Sequence, residues 1–170
     1  RACSSFDVVI LGDHDDVWLP DRIAHQAGRL GSLTLPALMI ASDGVLVDER
    51  GELLGGTLRT NFRLPGELGD DPRRILRLAL THLVATGGAS AIRPSEYPSL
   101  AVPPGWLHDR WWSLVAAARG GLMIDDQPVI HYRVHRGQEA GLDRASHGSG
   151  PRGKLLRVGP LTAARKLHDF

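Results

Sequence analysis

An apolar run that ends abruptly in charge is the feature that most constrains this chain. Phe6-Asp7-Val8-Val9-Ile10-Leu11 has the length and β-branched content of a buried strand, and Gly12 stops it. Asp13, His14, Asp15 and Asp16 follow without a break. Pro20 then opens a segment of helical periodicity in which Ile23, Ala27 and Leu30 share one face and Gly31 is the stop. Strand, polar turn, helix is the building unit of an open α/β sheet, where ligands gather at the ends of strands.

The alternation continues down the chain. Ala37–Ala41 reads as a second short strand, and Val45–Asp48 with Glu52–Leu54 reads as a hairpin with Gly51 at its turn. Residues 55–71 are rich in Gly, Pro and polar groups and read as a loop. Asp71-Pro72 is a cap and first turn for a helix through about Val84. Ala85–Arg93 is a small-residue strand interrupted by Gly87-Gly88, where another backbone or a ligand can approach closely. A helix over His108–Arg119 stops at Gly120-Gly121, and Val129–His135 is the last strand. The expected fold is therefore α/β. Strands over 6–11, 37–41, 85–92 and 128–135 form one parallel or mixed sheet, with helices over 21–30, 72–84 and 108–119.

With 170 residues the chain is long enough for one core and too short for two comfortable domains. From His131 onward eight Lys/Arg stand against Glu139, Asp143 and Asp169, which leaves residues 1–130 with a net charge of −4. The body is acidic, and residues 137–170 read as a basic, partly flexible arm that regains a short helix near Leu161–Leu167. Such an arm is either simply solvated or meets an anionic membrane surface or a metal–diphosphate. The balance of 20 basic against 19 acidic residues, without a basic aromatic stripe, argues against nucleic acid. Cys3 is the only cysteine, so a reducing, cytoplasmic setting is expected. No apolar run approaches the roughly 20 residues of a membrane span, and no signal peptide is expected from the opening residues. It opens at Arg1 and soon enters an apolar run, so its natural beginning is expected to be missing.

Asp13 and Asp15, two apart, project alike if the backbone stays extended. Hard oxygen ligands at a strand end suit Mg²⁺ or Mn²⁺, which bind through one or two carboxylates plus phosphate oxygens. Crowded like charges also call for a neutralising cation. The same residues equally make an Asp-rich turn that caps the next helix.

The wider stretch, Asp13-His14-Asp15-Asp16-Val17-Trp18-Leu19-Pro20-Asp21-Arg22-Ile23, resembles the DxDD signature of family 2 glycosyltransferases. The likeness is to the rhamnosyltransferase-like members that act on bacterial surface polysaccharides. It continues in order through Ala41-Ser42-Asp43 with Val47–Gly51, Ala85–Arg93, His108-Asp109-Arg110-Trp111-Trp112 and Tyr132-Arg133-Val134-His135. Five ordered blocks are far more specific than one motif.

The resemblance implies a partial GT-A fold over residues 1–136, lacking the strands that hold the nucleotide base. It implies inverting transfer of a sugar from a nucleotide-diphospho-sugar to a carbohydrate or lipid-linked acceptor, assisted by Mg²⁺ or Mn²⁺. Asp13 would contact the donor ribose, with Arg133 near its phosphates. Asp15, Asp16 and His135 would serve the metal, and Asp109 would be the catalytic base. Trp18, Asp43, Trp111 and Trp112 would meet the acceptor. Gln138 stands where an Asn is common in the family. Three of the four tryptophans lie between 106 and 112. Indole surface there could desolvate a carboxylate and carry a sugar face. Otherwise Asp109 is a helix cap and the tryptophans are core.

Two rival readings remain. In a metal-dependent phosphohydrolase, His82, His108-Asp109 and the Asp cluster would be dinuclear ligands. In a non-catalytic carbohydrate-binding fragment, the same surface would bind without turnover.

Overall fold

The computed structural model describes residues 7–31, 37–65, 69 and 71–135. The chain divides into two units, Arg1–Arg133 and Val134–Phe170. Of the second, only Val134 and His135 are among the described residues; the expected arm over 137–170, its helix near Leu161–Leu167 and Gln138 lie outside them.

The first unit is α/β, with a mixed, curled sheet flanked by helices. Its strands are β1 (Val9–Ile10), β2 (Val17–Trp18), β3 (Met39–Val47), β4 (Leu53–Thr57), β5 (Ser90–Ile92) and β6 (Leu122–Arg133). Their order is β1-β5-β3-β6-β2, and β4 also pairs with β3. Among the described residues only the long central pair, β3 with β6, is parallel. The helices are α1 (Arg22–Gly31), the single turn α2 (Leu58–Asn61), α3 (Pro72–Thr81) and α4 (His108–Ala118). No helix among the described residues is long and apolar enough to cross a membrane.

Period-two alternation splits the apolar side chains between the two faces of the sheet. Met39, Ala41, Ile92, Leu122 and Ile124 join Ile75, Ala79, Ala116 and Ala117 of α3 and α4 in one large cluster. Ile40, Ala91, Ile10 and Met123 face the other way and meet Leu30 of α1 in a small one. Asp71 starts α3 as expected, accepting from the Arg73 amide with Pro72 in the first turn.

Several expectations are corrected. The strand expected at 37–41 runs on to Val47, because Asp43 and Gly44 stay paired with β6 across a register shift instead of breaking out. At the hairpin Gly51 takes φ +87°, and Asp48 Oδ1 accepts from the amides of Arg50 and Glu52. The expected loop over 55–71 begins with β4 and α2, whose start is capped reciprocally by Thr57 and Thr60. Only Ser90–Ile92 of the strand expected over 85–92 pairs, and Gly87–Ala89 is a turn of 3-10 helix. β6 starts six residues before the expected strand: between its pairings at Ile124 and Pro128 it bulges, while β3 advances only from Ala41 to Asp43.

The largest correction is the inner face of α1. Ile23 is 58% exposed, whereas Arg22 and Gln26 are buried beside Leu30. A helix turned by its apolar residues alone would keep Leu30 inside and rotate Ile23 inward with it, so polar bonds described below set its rotation.

Candidate functional site

Four of the residues singled out in the sequence, Asp13, Asp16, His108 and Asp109, converge on the glycine turn. A Cβ on Gly88 would lie 2.5 Å from Asp16 Oδ2 and 2.8 Å from Asp13 Oδ2. A Cβ on Gly87 would lie 2.7 Å from His108 Nε2. The Gly87 amide donates to Asp109 Oδ2 at 3.1 Å. The two glycines therefore serve as a floor without side chains, with the Asp13 and Asp16 carboxylates on one residue and His108 and Asp109 on the next. Given backbone dimensions, the Asp16 and Asp109 carboxylates are no more than about 12 Å apart.

Asp16 has the more unusual environment. Its Oδ1 accepts from the Arg133 amide at 3.0 Å, while Oδ2 is buried with no hydrogen-bond partner. Burial raises its pKa to about 6; the Arg133 amide pulls it down, Asp15 and Asp13 push it further up, and Arg22 opposes them. A buried carboxylate oxygen without a donor is an unfavourable arrangement that a cation would relieve. Among the described residues, no group of three or more His, Cys, Asp or Glu is arranged to hold a metal ion. The donor set that converges is the pair Asp13 and Asp16. Two carboxylates with substrate phosphates and water fit Mg²⁺ or Mn²⁺, and do not fit an ion that needs a full protein cage.

The other expected residues fall as follows. The Asp15 carbonyl accepts from Arg133 Nε at 2.8 Å, and Arg133 Nη1 donates to the Glu49 carbonyl at 2.7 Å. Arg133 thus clamps the acidic turn, where the resemblance implied a phosphate contact. His135 belongs to the second unit. Asp43 is 5% exposed, and its Oδ1 accepts from the Gly44 and Arg59 amides, which occupies it at the start of α2. Trp18 is 41% exposed and lies over the Arg22 guanidinium, whose central carbon is 4.1 Å from the ring centroid. Trp112 is partly buried: it packs against the large core, donates Nε1–H to the Leu100 carbonyl at 3.3 Å and meets the His108 ring edge to face at 5.3 Å. Trp111 is half-buried and meets Trp106 edge to face at 5.3 Å.

Asp109 is not the cap of α4, because that position is Leu107. It lies in the first turn, and its Oδ1 accepts from the Arg110 amide at 2.6 Å while Oδ2 takes the Gly87 amide. The carboxylate is aimed at the glycine turn and retains free lone pairs. Arg110 donates to the His82 and Leu80 carbonyls at the end of α3, tying that helix to α4.

Sequence reading missed two polar links. Arg22 and Gln26 form a buried pair four residues apart, a spacing present in the sequence beside the apolar periodicity of Ile23, Ala27 and Leu30. His25 Nε2 and Asp125 Oδ2 are 2.7 Å apart, joining α1 to the β6 bulge. They are a hundred positions apart and carry no local signal. Beside them is a cleft of about 360 Å³ lined by Leu19–Arg22, His25 and Gln127–Val129.

No family model matches this chain, and no curated protein matches it.

Proposed function

We propose that the chain is the metal- and acceptor-binding part of a GT-A glycosyltransferase. It would move a sugar from a nucleotide-diphospho-sugar to a carbohydrate or lipid-linked acceptor with inversion, in surface polysaccharide synthesis. The observation that carries this reading is the glycine turn, against which Asp13 and Asp16 close on one residue and Asp109 on the next. Asp13 and Asp16 would hold Mg²⁺ or Mn²⁺, which supplies positive charge against a leaving diphosphate. Asp109 would take the proton of the acceptor hydroxyl, and the Gly87 and Arg110 amides fix its orientation. Half-exposed Trp18 and the Trp106–Trp111 pair offer flat apolar surface for sugar rings. The basic residues after Arg133 would draw the protein towards an anionic membrane surface.

A phosphohydrolase would need two sets of metal ligands. His82, one of its required residues, has its Nδ1 2.8 Å from Thr81 Oγ1 on the same helix end, and no observation favours that reading. The test is a transfer assay with a panel of nucleotide-diphospho-sugars, saccharide acceptors and Mn²⁺. Asp109→Asn should lower turnover by about 10²–10⁴ while leaving donor binding within about threefold. Equal loss of binding and turnover would remove Asp109 from the base role. Phosphate release without an acceptor would replace the transferase reading.

A further inference from the structure

Arg22 and Gln26 are fully buried polar side chains near the acidic turn, at 1% and 0% exposure. Arg22 donates through Nη2 to the carbonyl of Leu11, just before the turn, and through Nε to Gln26 Oε1 at 3.2 Å. Gln26 Nε2 donates in turn to Ser42 Oγ at 3.1 Å on β3 and to the Ala89 carbonyl at 2.9 Å, immediately after the glycine turn. The Trp18 ring covers the Arg22 guanidinium, and its edge approaches Gly12 so closely that a Cβ there would lie 2.6 Å from Cζ2. The two backbone segments that meet at the candidate site are thus joined behind it by one chain of side chains. Apolar residues at these positions would pack without the cost of burying a charge. A connected polar network instead holds its members in one geometry.

We propose that Arg22 and Gln26 are positioning residues that set the separation between the Gly12–Asp16 turn and the Gly87–Ala89 turn, and so prepare Asp13 and Asp16 for a divalent cation. The cation part rests on the reading given under Proposed function; the positioning part does not. Groups behind metal ligands typically change affinity by 10–100-fold when removed.

Charge and geometry make opposite predictions here. As a cation near the site, Arg22 repels a second cation, so Arg22→Met would tighten Mn²⁺ binding by charge alone. As a positioning residue, its loss weakens binding. The experiment titrates Mn²⁺ alone into the protein by calorimetry and by the spin-resonance signal of the free ion. Wild type is compared with Arg22→Met, Arg22→Lys, Gln26→Met, Ser42→Ala and Asp16→Asn, and amide hydrogen exchange is followed in parallel. Arg22→Met and Gln26→Met should each weaken Mn²⁺ binding about tenfold. The double variant should be little worse than either, since both cut one network. Arg22→Lys should fail to restore binding, because it keeps the charge without the planar fork. Exchange of the amides in 12–16 and 86–89 should rise about tenfold in Gln26→Met, with the interior of α4 unchanged.

Ser42→Ala removes one acceptor from Gln26 and should weaken binding about threefold, which keeps the test open if the larger changes prevent folding. Unchanged or tighter Mn²⁺ binding in Arg22→Met with unchanged exchange in Gln26→Met overturns the inference. If only Ser42→Ala folds, unaltered affinity and exchange in it do the same. If wild type binds no Mn²⁺, or binds it independently of Asp16, the metal reading falls, and exchange alone then decides the positioning claim.

Discussion

The two faces of the sheet are built from different materials. Towards α3 and α4 the sheet buries Met39, Ala41, Ile92, Leu122 and their partners in one large apolar cluster. Towards α1 the apolar cluster is small, and the polar side chains of Arg22, Gln26 and Ser42 share the buried space, with the partly buried His25–Asp125 pair also joining α1 to the sheet. Apolar burial is non-directional and scales with area, so the first face mainly supplies stability. Hydrogen bonds contribute less net free energy but specify distances and angles, so the second face mainly supplies geometry. The glycine turn and the acidic turn are joined through this second face. Helix α1 accordingly turns Ile23 outward to keep Arg22 and Gln26 inside.

The sharpest way to break this division is Gly88→Ala. Its methyl group would occupy space 2.5 Å from Asp16 Oδ2 and 2.8 Å from Asp13 Oδ2, so the carboxylates must move. Metal-dependent transfer should fall on the order of a thousandfold, while secondary structure by circular dichroism stays intact. A variant with ordinary turnover would mean that the glycine turn is not part of the site.

Two isoleucines on two helices sharpen the comparison. Ile75 on α3 is 7% exposed within the large cluster, whereas Ile23 on α1 is 58% exposed. Ile75→Ala should cost about 2–4 kcal/mol in urea denaturation. Ile23→Ala should stay within about 0.5 kcal/mol. Equal losses would show that α1 buries its apolar face after all.

The smallest expected effect concerns pH. Asp16 has a folded pKa of about 6 against an ordinary 3.8, so the folded protein binds that proton more tightly than the unfolded chain. Its contribution to stability is therefore greatest below the unfolded value and is lost as pH rises through about 6. Solvent screening at this half-buried group reduces the effect to about 1–2 kcal/mol. Without divalent ions, Asp16→Asn should lack this decline and be the more stable protein at pH 7. A parallel pH profile for the two proteins would contradict the burial assigned to Asp16.

Sequence reading recovered what local chemistry encodes. Helix α1 after Pro20, the Asp48–Glu52 turn, the Asp71 cap and the helix ending at Gly120 each have their cause within a few residues, whereas β2 at Val17–Trp18, paired with distant β6, was not among the expected strands. It also singled out Gly87-Gly88, Asp13, Asp16 and Asp109, but only the family resemblance, and no local pattern, put the three aspartates in one site. What stayed hidden depends on distant partners. β3 continues through Ser42-Asp43-Gly44 because β6 lies alongside it, and the β6 bulge bonds to His25 and pairs with Arg59 through Asp126. The burial of Arg22 rests on Leu11 and Trp18, and Arg133 is a clamp because its hydrogen bonds reach the acidic turn and Glu49.

The most direct test of the site is a crystal of the protein grown with Mn²⁺ and a nucleoside diphosphate, with data collected at a wavelength where manganese scatters anomalously. The expected result is one strong anomalous peak beside Gly88, within about 2.0–2.3 Å of carboxylate oxygens of Asp13 and Asp16 and completed by phosphate oxygens. That peak should vanish in Asp16→Asn. A saturating soak that leaves no peak there, or one that puts manganese between His25 and Asp125 instead, would contradict the assignment of Asp13 and Asp16 as the metal-binding pair.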